Sequence, residues 1–421
     1  MVTVDPYTPG QVPRVLAGRA AELGRIRDQV SRVVAFGELG GAPLVFHAPR
    51  GLGKTSLLRT AQREAEEVGC LTAWVACSRE RAFLPELLHA VRRSLERAGL
   101  PAGGDREAGR WRTRLEKVSL ELGLPGLSVG GELRTGVDPV PDASPPAEAA
   151  PIGALEDLLH DAATLARGRG REGSRGGTRG GVSPGAGLVL FLDELHAASA
   201  VDLSILLNAA QNLGGAREAN PLAVVTAGLP VTPEAIVRAA TFGERSVFVP
   251  LDVLSDDDAR ALLTVPAQAQ QVTWSPEALD LVAAECHGHP YLLQLLGSAT
   301  WQVARPASGG VLEAGHVVAA VPSARDQLDA MFRARWAGAT PGEQAFVRAM
   351  AQVAQSQGAD NVTRAAIAAQ LGQPSSSISV PRERLIEKGV IEPVGHGLVR
   401  FTMPGFARWV TELSGEHLTQ E

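Results

Sequence analysis

Along the N-terminal part of the chain, short apolar runs alternate with longer stretches in which apolar positions recur every three or four residues. Leu44 to His47, Leu71 to Ala76, Leu188 to Leu192, Leu222 to Thr226 and Ser246 to Leu251 are too short for helices, and Gly, Pro or polar residues bound them, so they read as buried strands. Thr55 to Val68 carries helical spacing between the first two, the separation a strand–helix–strand crossover needs. Strands buried on both faces and joined by helices predict an α/β fold with a parallel sheet.

Beyond Leu251 no further strands are expected for some way. Helical spacing in Asp256–Leu263, Pro276–Cys286 and Pro290–Val303 predicts a small all-helical lid. From Gly342 onward come helices around Gln344–Val353, Arg364–Leu371 and Ser375–Lys388. Val390–Val394 and Leu398–Thr402 follow on either side of a Gly395-His396-Gly397 turn, which together predict a winged helix-turn-helix. Two stretches break the pattern. Leu124–Pro151 is rich in Gly and Pro, with a candidate hairpin of Leu127–Val129 and Glu132–Arg134 around Gly130-Gly131. Arg167 to Gly187 is Gly/Arg-rich and offers little to bury, so it reads as a disordered, solvated insertion.

Composition narrows the function classes. A chain of 421 residues predicts two or three domains. A formal net charge of −6 gives no overall pull toward nucleic acid, so any such contact must come from a local basic patch. Cys70, Cys77 and Cys286 have no metal-ligand spacing and read as reduced core residues. Nothing approaches the roughly 18 apolar residues of a membrane span, and the start lacks a secretion signal, so a cytoplasmic protein without membrane contact is expected. Of 40 basic residues only Lys54, Lys117 and Lys388 are lysines.

Lys54 stands in the segment with the most specific chemistry. Ala48-Pro49-Arg50-Gly51-Leu52-Gly53-Lys54-Thr55 lies between a strand and a helix, Ser56 continuing into the helix, where amide N–H groups and the helix terminus cradle a polyphosphate. Gly51 and Gly53 let the backbone approach, Lys54 bridges the β- and γ-phosphates, and the Thr55 hydroxyl ligates magnesium. Ala48 replaces the usual first Gly. Leu188–Asp193-Glu194 supplies the partner: Asp193 at the strand end for the magnesium, and Glu194 to polarise a water for attack on the γ-phosphate. ATP and Mg2+ are therefore the expected cofactors, with Glu194 and Lys54 as catalytic residues.

On these motifs the chain resembles an AAA+-type P-loop ATPase of the STAND and origin-recognition-initiator branch. Leu16–Leu23 is similar to the family's Gly-Arg-Glu box, which implies that Val15, Gly18 and Arg19 line an adenine pocket, although Ala20 replaces the Glu. Ala223–Pro230 resembles the strand carrying the polar γ-phosphate sensor, with Thr226 at the matching position. Gly288-His289-Pro290 resembles the lid motif, which implies a phosphate contact from His289 beside Pro290. Gly243-Glu244-Arg245 resembles the region of an arginine acting on a neighbour's nucleotide; a structural salt bridge is the other reading of Arg245. The resemblance implies a five-stranded parallel sheet in an ATPase core over 1–251, a helical lid over 252–335 and a winged helix over 336–421.

The expected function is an ATP-driven switch that moves the winged helix. The partner is duplex DNA through residues 363–402, or a protein, with nucleotide-dependent homo-oligomerisation in view. Ser375–Arg384 carries hydroxyls and arginines suited to DNA, while Glu383, Glu387 and Glu392 oppose it. The alternatives are a non-hydrolysing nucleotide sensor and a signalling or defence ATPase whose winged helix docks protein.

Overall fold

The alternating strands assemble as the pattern predicts. In the computed structural model, which describes residues 3–100, 113, 149–172, 186–215, 219–395 and 397–418, β1 (Leu44–His47), β2 (Leu71–Ala76), β3 (Leu188–Asp193), β4 (Leu222–Gly228) and β5 (Val247–Pro250) form one sheet. Its order is β2-β3-β4-β1-β5 and every pairing is parallel. The twofold side-chain alternation of a strand sends Val189 and Phe191 to one face, where α1 (Ala20–Phe36) and α2 (Lys54–Glu67) pack Ile26, Val33 and Leu57. It sends Leu188, Leu190 and Leu192 to the other, against Leu87 of α3 (Phe83–Arg97), Leu155 and Leu159 of α4 (Ala149–Glu172) and Leu206 of α5 (Ala200–Gly215). The short helix α6 (Thr232–Ala239) joins β4 to β5. The three cysteines are buried and free.

One expectation is corrected here. Residues 167–172, assigned to a disordered insertion, continue α4, because Leu155, Leu158, Leu159, Ala162, Ala163 and Ala166 give that helix a continuous buried stripe. Arg167 is a tie between helices, donating to the Val33 carbonyl at 2.9 Å. Residues 173–185 and the candidate hairpin at 127–134 lie outside the described residues.

The helical region comprises α7 (Asp256–Gln268), α8 (Pro276–Cys286), α9 (Pro290–Ala304) and α10 (Ala314–Ala337). Ser255 and Ser275 cap α7 and α8 by accepting from the amides of Asp258 and Ala278. Strands do not stop at Leu251: β6 (Thr273–Trp274) and β7 (Val311–Leu312) pair in parallel, too short to show a pattern in sequence. The C-terminal unit contains α11 (Pro341–Gln357), β8 (Val362–Thr363), α12 (Arg364–Gln370), α13 (Ser379–Glu387), β9 (Ile391–Gly395), β10 (Leu398–Phe401) and α14 (Phe406–Leu418), with antiparallel strands in the order β8-β10-β9. The helix expected from Ser375 begins only at Ser379; Ser377 N donates to the Pro374 carbonyl in a preceding turn, and Pro381 falls in the first turn of α13, where its missing N–H costs nothing.

Lid and C-terminal unit share one hydrophobic core, in which the Phe332 ring of α10 lies 5.1 Å from Phe406 and 6.0 Å from Trp409. The C-terminal unit meets the sheet domain through smaller contacts: an exposed Arg79–Glu387 ion pair at 3.2 Å, and Gly389 against Leu229 and Arg50. Exposed pairs contribute about 0–1 kcal/mol, so the lid and C-terminal unit form the more cohesive body. Among the described residues no helix is long and apolar enough to cross a membrane.

Candidate functional site

The loop after β1 turns at Gly51 and Gly53, whose φ angles of 86° and 85° lie in the left-handed region that side chains disfavour. Gly53 caps α2, whose first-turn amides point out of the helix end. Lys54, the first residue of α2, is 5% exposed and folds back, its Nζ donating to the carbonyls of Ala48 and Pro49 at 2.8 Å each. Burial pushes its pKa down to about 8, partly countered by Glu194 and Asp193. The Thr55 hydroxyl donates to Asp193 Oδ2 at 2.6 Å. Asp193 Oδ1 accepts from the Glu194 amide at 2.9 Å, and burial raises the Asp193 pKa against the lowering effect of Thr55. Thr55 and Asp193 thus present two hard oxygen donors side by side, the donor chemistry magnesium takes. Glu194 adopts a left-handed backbone (φ 54°), an arrangement costing about 1–2 kcal/mol in a non-glycine residue, which turns its side chain away from the strand direction.

A cavity of about 540 Å³ opens over this loop. Arg50, Gly51, Leu52, Gly53, Lys54, Thr55, Ser56 and Glu194 line it, together with Val15 and Arg19. Arg19 is a buried clamp as well as a lining residue: its guanidinium donates to the carbonyls of Leu52 at 3.2 Å and Asp252 at 2.6 Å, and burial lowers its pKa. Gly18 lies behind it, where an added β-carbon would meet Leu254 at 2.7 Å.

Several lining residues carry no sequence signal. Residues Thr8 to Pro13 form a strap across the cavity, and Tyr7 anchors it in the lid by donating to the Leu263 carbonyl and accepting from Trp274 Nε1. The lid supplies Pro290, Tyr291 and Gln294, and α2 adds Arg59, whose guanidinium stacks on Trp74. Of the two tyrosines of the sequence, Tyr291 lines the cavity and Tyr7 is buried in the lid core.

Several expected residues lie elsewhere, beginning with Ala48 and Pro49, which line the space behind the loop and hold Lys54 through their carbonyls. Thr226 is inside β4, 2% exposed, and donates to the Leu44 carbonyl at 3.3 Å, so it is a sheet residue outside the cavity. His289 packs its ring on Gly51 and lines a second cavity of about 830 Å³ behind the loop, walled also by Glu392 and Arg400. Burial pushes its pKa down to about 4; its ring nitrogens make no hydrogen bond of ordinary geometry, although the Arg50 carbonyl is near enough to oppose that shift. Arg245 is exposed at the N-terminal end of β5, the opposite end of the sheet from the loop, and makes no ion pair among the described residues.

Gly51→Ala is expected to unfold at a temperature several degrees lower. A β-carbon there meets His289 Cε1 at 2.5 Å on a backbone already in the left-handed region, a strain of about 1–2 kcal/mol before the clash. Thermal unfolding checks this; an unchanged midpoint would mean that His289 does not seat on the loop.

A family profile described as "AAA ATPase domain" matches residues 15–225, and one described as "Domain of unknown function (DUF8462)" matches residues 329–410. Among solved structures, the ORC2 protein of Aeropyrum pernix in its ADPNP-ADP complexes aligns over 100% of both chains at 13% identity with a TM-score of 0.55. Cdc6p of Pyrobaculum aerophilum aligns over 99% of this chain and 100% of its own at 14% identity with a TM-score of 0.43. At such identities the first likeness speaks for the fold. No curated protein matches the chain.

Proposed function

Because the chain belongs to the AAA ATPase domain family, matched over residues 15–225 of 421, we propose that it binds ATP with magnesium in the 540 Å³ cavity and hydrolyses it to ADP and phosphate. The observation carrying this is the convergence of Lys54, Thr55, Asp193 and Glu194 at one end of the sheet. Thr55 and Asp193 would hold magnesium, which when bound neutralises phosphate charge. Lys54 leaves its two carbonyl partners to bind phosphate oxygens, Val15 and Arg19 flank the base, and Glu194 takes the proton of the attacking water.

On this reading residues 1–251 are the ATPase core, 252–335 the lid and 336–421 a winged helix, and nucleotide moves lid and winged helix together. Tyr291 N donates to the Gly51 carbonyl at 3.3 Å, so the lid senses the loop directly. His289 packs its ring on the same glycine, whereas Thr226, inside β4, has no part in this contact. The partner surface within residues 363–402 is the turn before α13 together with the exposed side of that helix, where Ser376, Ser377 and Arg384 are exposed while Glu387 is engaged by Arg79. Duplex DNA or a protein meets that surface, and the exposed Arg245 is available to a second copy of the chain.

The test is phosphate release from the purified protein with magnesium and with chelator, alongside Asp193→Asn. Magnesium-dependent release that falls at least about tenfold in the variant supports the reading, a tenfold change being about 1.4 kcal/mol. Release unaffected by chelator and by the variant would overturn it, and tight ATP retention without release would make the chain a nucleotide sensor. Adding duplex DNA at two salt concentrations separates the partners, since stimulation that collapses with salt marks phosphate-backbone binding.

A further inference from the structure

Two basic or donor groups approach the Glu194 carboxylate, and both reach the same atom. Arg50 Nη2 lies 3.7 Å and His196 Nε2 3.6 Å from Oε2. These separations are electrostatic contacts rather than hydrogen bonds, and such contacts shorten when substrate completes a site. A carboxylate held through Oε2 keeps Oε1 to accept a proton from water. His196 lies in the turn Leu195–Ala197 with its side chain 3% exposed. The Leu229 amide donates to its Nδ1 at 3.3 Å, which places the ring proton on Nε2, the nitrogen facing Glu194. Burial pushes the His196 pKa down to about 3, and the charges of Arg50, Lys54 and Arg79 act in the same direction. The ring is therefore a neutral donor, which fixes the carboxylate without the loss of basicity that a second cation would bring.

The supports of Glu194 have a common neighbour in the C-terminal unit. Leu229 is fully buried, and a β-carbon on Gly389 would stand 3.1 Å from Leu229 Cδ1 and 3.3 Å from Arg50 Nε. One backbone position after α13 therefore touches both the residue whose amide sets His196 and the arginine beside Glu194. We propose that His196 is a positioning residue for Glu194, and that docking of the C-terminal unit at Gly389 sets the orientation of that carboxylate through Leu229. This rests on Glu194 being the base of the proposed hydrolysis.

The experiment compares steady-state phosphate release and ATP affinity in the full-length protein and in His196→Ala, His196→Gln, Leu229→Ala, the double variant His196→Ala/Leu229→Ala and Glu194→Gln. His196→Ala should lower kcat roughly 10- to 100-fold, the scale of a misplaced catalytic group, with ATP affinity unchanged. His196→Gln, which restores an N–H donor, should recover most of the loss, and kcat between pH 6 and 8 should show no inflection from His196. Leu229→Ala keeps the amide but loses the side chain under Gly389; it should lower kcat alone and add nothing in the His196→Ala background. Losses that multiply in the double variant, or no recovery in His196→Gln, would overturn the relay. If Glu194→Gln itself turns over normally, the reading of the base has failed; if Glu194→Gln is inactive and His196→Ala is not, only the relay has.

Discussion

Glu194→Gln is expected to release phosphate about 10²- to 10⁴-fold more slowly than the parent protein while binding ATP with the same affinity, the range spanned by removal of a general base. Gln is close to isosteric and keeps an oxygen in place but cannot take a proton at neutral pH. The structural cost is small, because the Arg50–Glu194 pair is 47% and 31% exposed and such pairs add about 0–1 kcal/mol. Asp193 is unaffected, since its bonds run to Thr55 Oγ1 and to the backbone amide of residue 194, which the substitution retains. Binding and chemistry should therefore separate, in contrast to Asp193→Asn, which alters the magnesium donors. Single-turnover phosphate release beside calorimetric ATP titration checks this. Turnover equal to the parent's would place the base on another residue; weakened binding would give Glu194 a role in nucleotide contact instead.

What the sequence made legible, and what it did not, follows the range of the interactions. The inner strands are readable because both sheet faces are covered there, β3 and β4 being buried at every position, whereas the edge strand β5 is only partly buried and is read from its apolar residues and its boundaries. The loop from Ala48 to Thr55 and the pair Asp193-Glu194 were readable because local backbone geometry dictates their residue types. β4 continues two residues past Thr226 to Gly228, so Thr226 is a mid-strand side chain rather than one at the strand end. His289 precedes α9 with an extended backbone (φ −75°, ψ 114°) and lines the cavity behind the loop, while Pro290, Tyr291 and Gln294 line the nucleotide side, a difference of side that helical spacing does not reveal. The strap from Thr8 to Pro13 has no periodicity, and its place depends on bonds from Tyr7 to Leu263 and Trp274, more than 250 positions away. His196 is likewise invisible as a functional residue until Leu229 and Glu194 are seen on either side of it.

Lys54→Met is expected to weaken ATP binding about 10²-fold or more, since it removes charge-assisted hydrogen bonds of about 1.5–3 kcal/mol each. The pH dependence is the sharper test. The folded protein holds Lys54 at a pKa of about 8, below its ordinary value of 10.5, because burial disfavours the charged form. As pH rises through about 8 the ammonium is lost before phosphate can use it, so ATP affinity should fall by up to about tenfold per pH unit above that point. Stability without nucleotide should move the opposite way. Between about 8 and 10.5 the unfolded chain binds more protons at this lysine than the folded one does, so this group's contribution to stability rises with pH across that window. Below pH 8 both states carry the proton and the contribution is constant. Lys54→Met should abolish both trends, leaving only those shared with other groups. Calorimetric ATP titrations and denaturant unfolding at pH 7, 8, 9 and 10 on parent and variant measure the two together. Parallel pH curves for the two proteins would mean that Lys54 does not titrate in this range, and that its bonds to the Ala48 and Pro49 carbonyls hold the charged form against burial.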